Sequence, residues 1–489
     1  VRYTNAYSTV GVCAPSRFSI ITGMYSARLG AHNMRTGDYH NYKTPEQVTH
    51  RNDIGVIDKA GKNIPEYEVV PPPYVKPFTE ILRANGYYCA NNFKCDYQFN
   101  APFTAWDEVS STVSFRDAPK DKPFFYVWNT LLTHESRIWE RSNKPLTVNP
   151  KDVEIPSYFP DIPEVRNDIA RKYSNIEAMD EKVGEIISQL KEDGLLENTI
   201  IMFWSDHGGN LLRQKRAVGN SGLNVPLIIR YPNKIDAGKV DDRIVSLMDL
   251  GPTVLSLLNI EPPKHYDGKA IAGRYEESPR KYAFGTADRF DESTDMQRSV
   301  LDGRYVYIKN FMPELPLIYR NKYRERITMN SKLIQMDSLD MLEGDAKYIF
   351  MKTKPFEEFY DLETDPYEVN NIIDDPKHAN RINDFRDTLE NWQNEINDQG
   401  FIPENKIVES FWPNLIQPKT ENVEFKIRDD GLYELTSITN GASIGYQIED
   451  QIGTNSWSLY HKPILLGDKQ KIVARAIRIG YKASEITSK

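Results

Sequence analysis

An α/β fold, with a large and mostly parallel sheet sandwiched by helices, is what this sequence predicts, and two patterns predict it. The first is three short apolar runs rich in β-branched and aromatic residues. These are Pro123-Phe124-Phe125-Tyr126-Val127-Trp128, Thr199-Ile200-Ile201-Met202-Phe203-Trp204 and Val225-Pro226-Leu227-Ile228-Ile229-Arg230, each of the length and composition of a buried strand. The second is the helical period between them. Residues 163–193 place Val165, Ile169, Tyr173, Ile176, Met179, Val183, Ile186, Ile187 and Leu190 at spacings of three and four, the stripe of an amphipathic helix, and Gly194 is its stop. Helix, short turn and strand in alternation call for a sheet covered on both faces.

The texture changes twice along the chain. From 276 to 402 the elements are those of a smaller α+β subdomain. Arg304-Tyr305-Val306-Tyr307-Ile308-Lys309 alternates as a half-exposed strand does. Phe359-Tyr360-Asp361-Leu362 runs into the turn signal Glu363-Thr364-Asp365-Pro366. Residues 376–398 then set Ile382, Phe385, Leu389, Trp392 and Ile396 on one helical stripe. From 403 to 489, Pro403, Pro413 and Pro418 punctuate a linker, and short alternating segments at 423–427 and 471–477 predict a small β-sandwich. The expected organisation is therefore 1–275, 276–402 and 403–489.

Composition narrows the partners. The chain has 489 residues, with Lys plus Arg at 61, Asp plus Glu at 70 and a net charge of −9. That excludes a globally basic nucleic-acid binder. No apolar run approaches the length of a membrane span. Three cysteines, Cys13, Cys89 and Cys95, exclude a disulfide-built scaffold, and an odd count makes one thiol special or spare. The opening Val-Arg-Tyr-Thr-Asn-Ala-Tyr lacks a signal-peptide pattern and reads as a start that is processed, trimmed or missing.

The stretch that carries chemistry is Val12-Cys13-Ala14-Pro15-Ser16-Arg17-Phe18-Ser19-Ile20-Ile21-Thr22-Gly23. If a helix starts near Ser16, Cys13 lies at its N-terminal end, where the helix dipole and Arg17 favour negative charge. That is a place for an activated nucleophile or an anion; the plainer alternative is a small buried cysteine. Two further segments follow strands and a third precedes one. His134 and Glu135 come after 123–128, and a histidine at the carboxyl end of a parallel strand lies where such sheets bind ligands. Asp206-His207-Gly208 comes after 199–204, with the composition of a metal-ligand pair. Lys215, in Arg213-Gln214-Lys215-Arg216, precedes the run 225–230, and taken alone reads as part of a solvated basic cluster.

Taken whole, Cys13-Ala14-Pro15-Ser16-Arg17 followed by Thr22-Gly23 resembles the signature of the formylglycine-dependent sulfatases, of polysaccharide type, in the alkaline phosphatase superfamily. The resemblance covers roughly residues 1–400 and implies an alkaline-phosphatase-like fold. It implies that Cys13 is oxidised to formylglycine by a formylglycine-generating enzyme, with Pro15 and Arg17 in the positions that enzyme reads. One hydroxyl of the hydrated aldehyde then attacks sulfur, and the other expels sulfate. Arg17 holds the formylglycine. Lys94, in Asn91-Asn92-Phe93-Lys94, inherits sulfate binding. The family often has His two residues later, where this chain has Asp96, a substitute base or an orienting group. His134 protonates the leaving oxygen, and Lys215 neutralises it. Asp206 and His207 hold a divalent cation, Ca2+ with Mn2+ or Zn2+ as alternatives given the nitrogen donor. Arg289 and Asp291, with Glu135, line the substrate pocket, and Arg289 meets an acidic sugar.

The implied activity is hydrolysis of a sulfate ester on a sulfated carbohydrate, in a periplasmic or secreted enzyme. The alternatives are a phosphodiesterase or phosphonate monoester hydrolase of the same superfamily, and a non-catalytic glycan-binding relative. The family's metal site also takes two adjacent carboxylates upstream of the cysteine. Only twelve residues precede Cys13, and none is an aspartate. Asp241-Asp242 reads as a polar loop after Gly238, and Asp374-Asp375 precedes Pro376. The expectation is an upstream segment carrying that strand; a native mass equal to this sequence would sink it.

Overall fold

The computed structural model describes residues 1–467 and 469–489. The chain divides into two compact units, each assembled from three separate stretches. One comprises Val1–Val12, Thr130–Leu247 and Ser278–Asn397; the other comprises Cys13–Asn129, Met248–Glu277 and Asp398–Lys489.

The first unit is built on a four-stranded sheet in the order Ile201–Trp204, Leu227–Arg230, Arg2–Tyr7, Val240–Ser246. The first two pairings are antiparallel and the last is parallel. The strand in 225–230 begins only at Leu227, after Pro226, which has no N–H to give a ladder. Ile201–Trp204 is half-buried along its length, because it is the outer strand of its sheet and has a neighbour on one side. Asp241 and Asp242, expected in a loop, lie in the parallel-paired strand. Its first half is polar because it runs at the exposed rim. There Arg243 Nε sits 3.0 Å from the Asp241 carboxylate.

The helix Pro163–Glu192 opens with Pro at its first position and Glu164 in its first turn, both suited to a helix N-terminus. Gly194, at φ 70°, follows its end. Val165 and Ile169 pack with Tyr158, Phe159, Leu211, Leu333 and Ile349. A second sheet, antiparallel throughout, runs Glu357–Asp361, Tyr305–Asn310, Gln297–Leu301, Ala283–Ala287. The helix Ala379–Ile396 lies on it and buries Ile382, Phe385, Leu389, Trp392 and Ile396, the stripe its spacing predicts. Trp392 stacks on Phe284 at 4.6 Å and 3°. Burying each such side chain contributes about 1.5–3 kcal/mol.

The second unit holds a parallel three-stranded sheet, Glu108–Ser110, Tyr88–Asn92, Phe124–Val127. The helices Cys13–Thr22, Phe78–Ala84 and Leu250–Leu257 pack together, with Phe18, Ile21, Phe78, Leu82 and Leu255 in one core. The tail forms two antiparallel sheets, one of Glu424–Ile427 and Tyr433–Thr436, the other of Ser458–Leu459, Ser443–Ile448, Ile472–Ile477 and Thr487–Ser488. Val423, Leu435, Ile444, Ile472, Ala474 and Ala476 fill the core of this tail. The strand Ile472–Ile477 alternates buried and half-buried, as a strand with one covered face must. The first unit's α/β sheet is thus mixed where a mostly parallel one was expected, and the second unit's is parallel. Among the described residues no helix is long and apolar enough to cross a membrane.

Candidate active site

In the second unit, the helix begins at Cys13 itself, and Cys13 is 3% exposed. Pro15 is tolerated because the first turn needs no backbone donor. Gly23 ends the helix at φ 67°, and a Cβ there would meet the Tyr266 ring at 2.7 Å, so only glycine fits. Arg17 lies one turn after Cys13. It donates to Asn129 Oδ1 and, at 3.5 Å, to the Lys94 carbonyl. Asn129 in turn donates to Asn91 Oδ1 and the Asn92 carbonyl, both at 2.9 Å. Arg17 and Asn129 therefore tie the cysteine helix to the end of the strand Tyr88–Asn92.

Lys94 follows that strand end. Its Nζ lies 3.6 Å from Asp96 Oδ2, while Arg35 lies 2.7 Å from Asp96 Oδ1. Phe93 at φ 50° and Asp96 at φ 59° flank the lysine in the left-handed region. Non-glycine residues there carry strain that surrounding contacts must hold. The Asn91 amide donating to the Lys94 carbonyl at 3.1 Å and the His40 carbonyl accepting from the Cys95 N–H at 2.9 Å are such contacts.

In the first unit, Asp206 and His207 leave the strand Ile201–Trp204. His207 Nε2 is 3.8 Å from Asp206 Oδ1, and the Asp206 side chain is 20% exposed. An oxygen and a nitrogen donor at this separation fit a divalent cation that draws further ligands from elsewhere. The loop is fixed from below. Gly208 N–H donates to the Gly222 carbonyl at 2.9 Å and Gly209 N–H to the Ser221 carbonyl at 3.2 Å. A Cβ on Gly208 would come within 2.4 Å of the Ser221 carbonyl oxygen. Gly208→Ala must therefore shift backbone under both side chains. It is expected to weaken divalent-cation affinity by about 10–100-fold, measured by calorimetric titration of metal-stripped protein; an unchanged titration would mean that the loop does not set the pair.

His134 and Lys215 meet in the same unit. Lys215 Nζ is 3.3 Å from His134 Nε2 and 2.7 Å from Glu135 Oε1. His134 Nδ1 lies 3.2 Å from Ser136 Oγ. Glu135 is 2% exposed and also receives two hydrogen bonds from Arg216, at 3.0 and 3.1 Å. Burial pushes the Glu135 carboxyl up, but the Lys215 and Arg216 charges outweigh it and hold it far below the usual carboxylate range. Arg216 continues to Asp291 at 2.7 Å, and Asn321 donates to the same carboxylate at 2.9 Å. Arg213 at φ 62° and Arg216 at φ 74° bracket Lys215 in the left-handed region, as Phe93 and Asp96 bracket Lys94.

The structure thus brings Cys13, Arg17, Lys94 and Asp96 onto one scaffold and His134, Lys215, Asp206 and His207 onto another. Glu135 and Asp291, expected at a substrate pocket, are joined through Arg216, and Asp291 remains 26% exposed. Arg289 is buried and donates to the Asp291 carbonyl at 2.8 Å. Sequence reasoning did not single out Arg35, Asn129, Ser136 or Arg216. Only Arg216 carried a signal, as the neighbour of Lys215.

The Sulfatase family model matches residues 1–260. An ulvan-active sulfatase of Formosa agariphila is 38% identical over a 526-position alignment covering 99% of this chain and 84% of that protein. The N-sulphoglucosamine sulphohydrolase of Homo sapiens is 23% identical over 464 positions, 85% of this chain and 87% of that one. Among solved structures, a 2-O GAG sulfatase has a TM-score of 0.53 at 16% identity, covering 81% of this chain and 85% of its own. A structure in complex with D-glucosamine-2-N,6-O-disulfate has a TM-score of 0.52 at 16% identity, covering 83% and 92%. These two likenesses speak to the fold alone. With the family model matching over half the chain, and a relative aligned along nearly all of it, this chain belongs to the sulfatase family.

Proposed function

We propose that this sulfatase hydrolyses the sulfate ester of a sulfated poly- or oligosaccharide, with residue 13 matured to formylglycine as the nucleophile. The observation that carries the chemistry is the 3.3 Å approach of Lys215 Nζ to His134 Nε2. Two nitrogens this close, each able to donate, have room for one shared acceptor. The bridging oxygen of an ester, gathering charge as its bond to sulfur breaks, is such an acceptor. Lys215 meets the charge and His134 gives the proton. Ser136 Oγ serves His134 Nδ1 in either protonation state, since a hydroxyl both donates and accepts.

Glu135 fixes Lys215, and Arg216 shares the Glu135 carboxylate and pairs with Asp291 in turn. Asp96 anchors Lys94, and Arg35 keeps that trio net positive toward the sulfate. Arg17 and Asn129 hold the start of the cysteine helix. A divalent cation held in part by Asp206 and His207, calcium first and manganese or zinc next, supplies further positive charge to the sulfate when bound. A carbohydrate substrate is supported by the description of the relative from Formosa agariphila. Maturation by a formylglycine-generating enzyme, and action in the periplasm or outside the cell, complete the reading.

The test uses protein whose formylglycine is verified by mass spectrometry, given a panel of sulfated glycans that includes ulvan, and sulfate and phosphate diester model substrates in parallel. Sulfate release from a glycan is the expected result. Turnover of the phosphate diester alone would overturn the reading.

A further inference from the structure

Beside His134 stands an aromatic ring that the proposed chemistry does not use. Tyr323 is 39% exposed. Its ring lies edge-on to His134 at 6.3 Å and 62°, and to Trp139 at 5.1 Å and 80°. The mount beneath it is rigid. Asn321 is fully buried, its Nδ2 donating to Asp291 at 2.9 Å and its Oδ1 accepting from the Arg324 N–H at 3.0 Å. Arg324 donates to the Tyr319 carbonyl at 2.6 Å.

The segment that carries Tyr323 is basic. Arg320-Asn321-Lys322-Tyr323-Arg324-Glu325-Arg326 carries four basic residues and one acid. Glu325 is engaged by Arg320 at 2.6 Å. Lys322 and Arg326 are exposed, and the Arg326 guanidinium lies 4.7 Å from the centre of the Trp139 ring.

We infer that Tyr323, Trp139 and Arg326 form a sugar-ring subsite on the leaving-group side of His134, for a pyranose bearing a carboxylate or a further sulfate on that ring or its neighbour. This rests on the sulfatase chemistry proposed above and names the substrate class of that site. A pyranose has an apolar C–H face that an aromatic ring covers while the hydroxyls stay in water. A tyrosine packed edge-on against His134 and Trp139 above the buried Asn321 orders that contact at low entropic cost. A guanidinium beside the ring takes the anionic substituent with charge-assisted hydrogen bonds. Because His134 serves the ester's bridging oxygen, a ring at Tyr323 is the one that oxygen leaves with. A simple aryl sulfate brings no such ring.

The test compares Tyr323→Ala, Tyr323→Phe and Arg326→Ala on a sulfated oligosaccharide and on nitrophenyl sulfate. Tyr323→Ala is expected to raise the oligosaccharide KM by about tenfold or more while nitrophenyl sulfate turnover changes little. Tyr323→Phe, which keeps the ring, is expected to behave as wild type on both. Arg326→Ala is expected to weaken only the oligosaccharide. An unchanged oligosaccharide KM in Tyr323→Ala would overturn the subsite, as would equal losses on both substrates, which mark a support for His134. Binding of the same oligosaccharide to Cys13→Ala protein, with and without Tyr323→Ala, reads the subsite without turnover. Affinity lost with Tyr323 supports the subsite even if no glycan is cleaved, and equal affinity overturns it.

Discussion

Replacing Cys13 by alanine is expected to lower sulfate release by about 10⁶-fold in kcat, the scale on which removing a covalent nucleophile acts. The three cysteines do not share this sensitivity. Cys89 and Cys95 are fully buried, and burial pushes both thiols up, Cys95 to about 12 against the opposing pull of Arg17. Each stays protonated and inert at neutral pH, so alanine at either position costs packing alone. Cys13 differs by position, as the first residue of its helix with Arg17 one turn away. Alanine suits a helix there, so Cys13→Ala folds and its loss reads as chemistry. Initial rates of sulfate release, with circular dichroism confirming the fold, make the measurement. Wild-type rates in Cys13→Ala would remove residue 13 from the mechanism.

The second large effect is on stability. Glu135→Ala is expected to destabilise the fold by about 3–5 kcal/mol, because it leaves Lys215 and Arg216 buried without their shared counter-charge. The pH dependence follows from the depressed carboxyl. Its pKa is far below the ordinary 4.5, so the stabilisation is complete above that value and is lost as pH falls beneath it. Urea unfolding at pH 7 and at a pH below 4.5 is expected to show wild type losing stability on acidification, with Glu135→Gln losing less. Parallel acid limbs in the two proteins would show that Glu135 is not the group responsible.

What the sequence made legible was local. The stripes of Pro163–Glu192 and Ala379–Ile396 were readable because a helix repeats within a few residues, and Cys13-x-Pro15-Ser16-Arg17 because it is contiguous. What escaped was pairing over distance. Nothing near Glu135 announces Arg216, 81 residues away, and nothing near Asp96 announces Arg35. Asp241 and Asp242 read as a loop because a polar rim hides strand periodicity. The left-handed residues around Lys94 and Lys215 were invisible because none is glycine; their conformations are imposed by contacts that form only in the fold.

The pairing of Arg2–Tyr7 with Val240–Ser246 bears on the order of events during synthesis. At roughly 5–20 residues per second, the partner strand emerges some tens of seconds after the first one. The helix that buries Cys13 waits equally long, since it packs against Leu250–Leu257. Throughout that interval the thiol of residue 13 rides on chain whose native neighbours have not been made. The side chain of residue 13 is therefore open during translation and closed over once its helix packs, at 3% exposure in the folded chain.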